Sequence, residues 1–115
     1  MLEEKYYVDF DLAENLKEFG FPQDNCDAYW CKTYIGDGTT VMHDLVCKKT
    51  RDTVPFEEET ACPSVGFLRD LLKEERLPIY KKESKKWIVG VRGILITEEK
   101  EANALALQWI TLQKQ

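Results

Sequence analysis

The chain has 115 residues, 43% of them apolar, with 16 basic and 21 acidic side chains and a formal net charge of −5. That size suits one small globular domain over 1–115 and leaves no room for a large two-domain enzyme, and the apolar content excludes a collagenous, low-complexity or wholly disordered chain. The charge is divided unevenly: 1–60 carries 6 basic and 14 acidic residues, a balance of −8, and 61–115 carries 10 and 7, a balance of +3.

Leu12, Leu16 and Phe19 recur at helical spacing and predict a helix over 11–19. Asp11 and Glu14 have the spacing of a capping box, Gly20 is placed for a left-handed residue after the helix, Phe21 can fold back on Leu16, and Pro22 blocks continuation. The aromatic run Ala28–Tyr34 and the loosely alternating Thr40–Cys47 predict a β-hairpin closed by Gly36-Asp37-Gly38. Lys48–Thr60 is polar, contains Pro55 and Glu57-Glu58-Glu59, and is expected as a mobile connecting loop.

Pro63-Ser64 opens a second helix with a buried stripe of Val65, Leu68, Leu71 and Leu72, ended by Pro78. Ile79–Glu83 and Trp87–Val91 predict a second hairpin turning at Ser84-Lys85, with Ile94–Ile96 extending or restarting the strand after Gly93. Thr97 is the expected cap of the last helix, and Glu98, Glu99 and Glu101 suit its positive end. Its apolar face is Ala102, Leu105, Ala106, Trp109 and Leu112. Leu107 and Ile110 broaden that stripe and suggest a homodimer contact. The expected fold is α+β in the order α-β-β-α-β-β-α, with one antiparallel sheet of about four strands carrying helices on one side.

The acidic start, Met1-Leu2-Glu3-Glu4-Lys5, is followed by no apolar secretory segment, and the strongest apolar run, near Ile94-Leu95-Ile96, is too short to span a bilayer. A cytoplasmic location is expected, with the thiols of Cys26, Cys31, Cys47 and Cys62 reduced.

The segment Cys62-Pro63-Ser64, the run Phe67-Leu68-Arg69-Asp70-Leu71-Leu72-Lys73-Glu74-Glu75, the Lys-flanked hairpin to Trp87, Thr97-Glu98-Glu99-Lys100-Glu101-Ala102 and the helix end Leu16-Lys17-Glu18-Phe19-Gly20-Phe21 form a pattern covering most of the chain. It resembles small uncharacterised proteins of phage-like and mobile elements in gut Bacteroidetes. The resemblance implies a mobile-element origin and a cytoplasmic host. Its motifs are caps, stripes and turns, so it implies no activity and no functional residue.

Four chemistries can be read from the residues. Cys26-x4-Cys31 with His43-x3-Cys47 offers four zinc ligands, although the first pair lacks the common two-residue spacing and Cys31 falls in an aromatic strand where cysteine serves as a small hydrophobe. Cysteine catalysis would need a thiol beside His43, the only histidine, oriented by Asp44. The carboxylates Glu57-Glu58-Glu59 and Glu98-Glu99 read as solvated or as helix-start residues. Lys81, Lys82, Lys85, Lys86 and Arg92 around Tyr80 and Trp87 make a basic, aromatic hairpin able to meet nucleic acid. The second half is similar in element order to a shortened double-stranded-RNA-binding arrangement. Strand alternation would send successive lysines to opposite faces, and edge lysines also serve to discourage aggregation. No P-loop or G-x-G-x-x-G is present, and no cofactor is expected. The leading expectation is a non-enzymatic protein–protein contact module using the acidic first half and the aromatics Tyr29, Trp30 and Tyr34, half of which read better as core, met by a host or phage protein. Nucleic-acid binding through Lys81–Arg92 is the alternative, and a cysteine enzyme or zinc domain the third.

Overall fold

A computed structural model describes residues 2–35, 38, 40–53, 56 and 58–114, with the side chain of Ile35 outside that set. The elements in chain order are α1 (Phe10–Glu18), β1 (Ala28–Ile35), β2 (Thr40–Cys47), α2 (Lys48–Thr53), β3 (Glu59–Ala61), α3 (Val65–Leu71), β4 (Ile79–Lys81), β5 (Lys86–Val91), β6 (Ile94–Glu98) and α4 (Glu101–Gln113), with a 3-10 turn at Glu4–Tyr6 before them. The fold is mixed α+β. The expected single sheet is instead two antiparallel three-stranded sheets, ordered β2-β1-β3 and β4-β5-β6.

α4 explains the division. Its residues Ala102, Asn103, Ala104, Leu105, Ala106, Gln108 and Ile110 are all buried, so the helix is covered on opposite sides. Leu105, Ala106 and Ile110 join the larger core with α1, β1, β3 and α3, whereas Ala104 and Leu107 meet Val89, Val91 and Ile96 of the second sheet. A helix apolar all round is an interior helix. Leu107 and Ile110, which suggested a dimer face, therefore belong to the two layers packed on α4.

Several local readings hold. Gly20 has φ +88°. The Phe21 N–H donates to the Leu16 carbonyl at 2.9 Å and the Gly20 N–H to the Lys17 carbonyl at 3.0 Å. These are the two bonds of a Schellman helix end, and Phe21 packs into the core behind it. Ser64 caps α3, its hydroxyl accepting from the Phe67 N–H at 3.2 Å.

Other boundaries move. α1 starts at Phe10, one residue before Asp11, because Asp9 takes the capping position while its side chain binds elsewhere. Part of the expected loop 48–60 is ordered: α2 follows β2 directly, and β3 pairs Thr60 with Trp30. Gly36 and Asp37 of the hairpin tip, and Pro55 and Glu57, lie outside the described residues. α3 ends at Leu71, well before Pro78, and leaves Leu71 about half exposed. Arg92 (φ +49°) and Gly93 (φ +80°) form a two-residue turn between paired Val91 and Ile94, so Ile94–Glu98 is a separate third strand. Thr97 pairs with Ile88 inside it, and Lys100 takes the cap position of α4.

Candidate functional site

β1 and β2 pair in register over eight residues, from Ala28↔Cys47 to Ile35↔Thr40. β3 covers the other edge of β1, so the outer edge of β2 is a margin of the sheet. The direction of its backbone groups follows from two bonds. Lys32 donates its N–H across to Glu58 beside β3, at 2.9 Å, and Lys48 donates to Asp27 at 3.2 Å. Even-numbered β1 residues thus face β3 and odd-numbered ones face β2. In the paired register, Thr40, Met42, Asp44 and Val46 bond inward, while Val41, His43, Leu45 and Cys47 direct their N–H and carbonyl groups outward. Among the described residues, no backbone hydrogen bond reaches Val41, His43 or Leu45 from outside the hairpin.

A groove of about 510 Å³ follows this edge, lined by Leu2, Glu4, Trp30 and the five consecutive residues Met42–Val46. Consecutive strand residues alternate between faces. A cavity touching all five therefore lies along the strand margin, and Leu2 and Glu4 also line it. Its charged side chains are Glu4 and Asp44. Asp44 accepts from the Thr33 hydroxyl at 3.1 Å. A second cleft of about 330 Å³ adjoins it, lined by Phe10, Glu14, Trp30, Lys32, Val41, His43, Glu58 and Thr60. Lys32 is paired there with Glu58 at 3.5 Å, so the acidic groups outnumber the basic one.

The floor is rigidly built. His43 stacks on Phe10 with ring centroids 3.9 Å apart, and Phe10 meets Trp30 edge-on at 6.2 Å. The Trp30 indole N–H donates to the Val8 carbonyl at 2.9 Å. Tyr29 and Trp30, expected as contact residues, are core: 1% and 8% exposed. Tyr29 faces away from the groove and carries the Arg51 guanidinium 4.5 Å from its ring centre. Tyr34 is exposed, with the Lys32 ammonium 5.6 Å from its ring.

The proposed zinc ligands do not converge. Lys32 pairs with His43 and Cys31 with Asp44, so Cys31 and His43 project from opposite faces. Cys47 shares the His43 face, but four residues along a strand separate them by about 13 Å. Cys26 is buried beside Asp27, its thiol 3.7 Å from that carboxylate. Among the described residues no group of three or more His, Cys, Asp or Glu side chains is placed to hold a metal ion. The same separations leave neither Cys31 nor Cys47 beside His43. Burial pushes the Cys26 and Cys31 thiols up to about 11 and raises Cys62 further, while Cys62 donates to the Val8 carbonyl at 3.0 Å. Cys47 alone is lowered, through hydrogen bonding to the Thr50 hydroxyl, 3.3 Å away, and to nearby backbone N–H groups. The carboxylates Glu98 and Glu99 line a separate cleft with Asp9, Lys86 and Lys100.

The basic hairpin is split. Lys81 and Lys86 are direct cross-strand partners and share the outer face of the second sheet. Tyr80 and Trp87 pair on the opposite face, rings 5.3 Å apart, where Trp87 packs against the core under that sheet. Lys82 and Lys85 sit in the turn, and Arg92 donates to the Lys114 carbonyl at 2.8 Å. The aromatics thus lie beneath the sheet that carries the cations.

Comparisons with protein-family models, with curated proteins and with solved structures each find no match. Among the described residues, no helix is long and apolar enough to cross a membrane.

Proposed function

We propose that the protein is a non-enzymatic contact module that meets another protein through its acidic first half. The observation that carries this reading is the groove along Met42–Val46, where an apolar floor, backbone groups without a partner among the described residues and the Glu4 and Asp44 carboxylates coincide. Natural sheets usually blunt a long edge with lysine, proline or a bulge. β2 has none of the three across Thr40–Cys47. The acidic half favours a basic partner by long-range attraction. The mobile-element origin and cytoplasmic setting that accompany this proposal rest on the sequence resemblance.

Peptides selected on the protein from a random displayed library, followed by titration into 15N-labelled protein, test the reading. Shifts centred on Glu4 and Met42–Val46 are expected. Shifts confined to the second sheet, or a library that yields no binder, would refute it.

A second reading keeps Lys81, Lys82, Lys85 and Lys86 as a phosphate-binding tip, since none of them forms a salt bridge among the described residues. With Tyr80 and Trp87 on the other face, this would be backbone contact without base stacking. A gel shift whose affinity falls steeply with salt supports it, and no binding at low salt removes it.

A further inference from the structure

We infer that the partner binds by strand addition: an extended segment in which apolar and basic residues alternate pairs with the free edge of β2. The inference rests on the contact reading above and specifies its chemistry. Three observations carry it.

The outward N–H and carbonyl groups of Val41, His43 and Leu45 repeat at every second residue, the spacing that an added strand satisfies. From Val41 to Leu45 they span about 13 Å, enough for four or five partner residues before α2 begins. The groove beside them is lined by Leu2 and Trp30 as well as by β2, so one face of an added strand meets apolar surface. Alternate side chains of the segment would enter there, which sets the apolar half of the pattern.

The charges select the other half. The groove's own ionic residues are Glu4 and Asp44, and Asp44 lies on the face of β2 opposite Trp30, where it also accepts from Thr33. The segment's residues that turn away from the Trp30 floor would meet that carboxylate, which favours basic side chains there. A second copy fits worse, because pairing β2 with its twin places Asp44 and Glu4 of both chains along the same seam. Strand addition uses the His43 backbone and leaves its ring stacked on Phe10.

The test uses a fluorescein-labelled nine-residue peptide alternating Lys or Arg with Val, its counterpart with Glu at the charged positions, and two forms of the basic peptide N-methylated on one or the other set of alternate residues. Fluorescence anisotropy with the full chain is expected to show binding of the basic peptide, little binding of the acidic one, and weakening with salt. One N-methyl set should lose about tenfold or more in affinity, and the other less than about twofold, because only one edge of the added strand faces β2. On the protein, Val41→Pro removes one outward N–H at a margin where proline is tolerated, and is expected to weaken binding without altering the spectrum of the second sheet.

If the basic peptide binds but both N-methyl sets bind equally well, the contact reading survives and strand addition is overturned. If basic and acidic peptides bind alike, the assigned partner chemistry is wrong. If neither binds, the groove is not a peptide site and both readings fall. A dimer in sedimentation of the chain alone, dissolved by Val41→Pro, would assign the edge to a second copy and overturn the proposal.

Discussion

Asp9 and Asn103 are 94 positions apart, yet they hold each other at two points. The Asp9 N–H donates to Asn103 Oδ1 at 3.0 Å, and Asn103 Nδ2 donates to the Asp9 carboxylate at 2.8 Å. Lys100 adds a third contact at 2.6 Å. Asn103 is buried, while Asp9 is exposed and keeps Lys100 beside it, so Asn103→Leu should cost about 1 kcal/mol for the hydrogen bonds removed, measurable by urea unfolding. Burial raises the Asp9 pKa, but hydrogen bonds from Lys100 and Asn103, with the Lys100 charge, outweigh it and bring the carboxyl below its ordinary value. Such a group contributes stability above its unfolded pKa, near 3.9, and loses it as pH falls through the folded value. The stability gap between the natural chain and Asp9→Asn is therefore expected to be flat at neutral pH and to close below about pH 4. Among the thiols, Cys47 should react first with iodoacetamide at pH 8, with Cys26, Cys31 and Cys62 protected by burial and raised pKa. Mass spectrometry of the labelled chain reads this out, and equal labelling of all four would contradict it.

At the scale of elements, the best-defined boundary is the end of α1. Leu16, Gly20 and Phe21 determine it together: an apolar anchor, a residue free to take φ +88°, and a return contact into the core. A Cβ at Gly20 would meet nothing within 4 Å, so Gly20→Ala should cost about 1 kcal/mol through backbone strain alone. A lower melting temperature with an unchanged circular dichroism spectrum is the expected signature. Legibility failed where elements are short. β3 has three residues and α2 six, too few for either periodicity to emerge. Both exist because of neighbours: β3 pairs with β1, and Arg51 of α2 bridges the Tyr29 ring and Glu59, 2.6 Å from its guanidinium. Thr97 and Glu98 had every local property of a helix start. Pairing with Ile88 and Trp87 placed them in β6 instead, a non-local contact outweighing a capping preference.

The whole molecule is organised by α4 between two layers. Ala102, Ala104 and Ala106 are fully buried, and their small side chains allow close approach on both sides. Ala104→Leu should overpack the seam against Val89, Val91 and Ile96 and cost about 1–3 kcal/mol, with amide exchange quickening first in the second sheet. Leu95 lies on the outer face of that sheet and is 69% exposed. Leu95→Lys should leave stability within about 0.5 kcal/mol, since the side chain contributes little buried area. The contrast between these two substitutions tests which side of the sheet faces the helix.

The α+β class, the α1 end, the Ser64 cap, both hairpins and the division of charge are legible in the order of residues alone. These depend on residues close in the chain, whose spacing and backbone preferences act locally. Tertiary structure decided that there are two sheets, that Tyr29 and Trp30 are interior, that Lys81 and Lys86 share a face away from Trp87, and that His43 stacks on a ring with Cys31 on the opposite face. It also decided the candidate site. Thr40–Cys47 reads as a strand in sequence, but an edge exists only when pairing on one side is filled and pairing on the other is not. That is a property of sheet order, which the alternation of residues along a single strand does not carry.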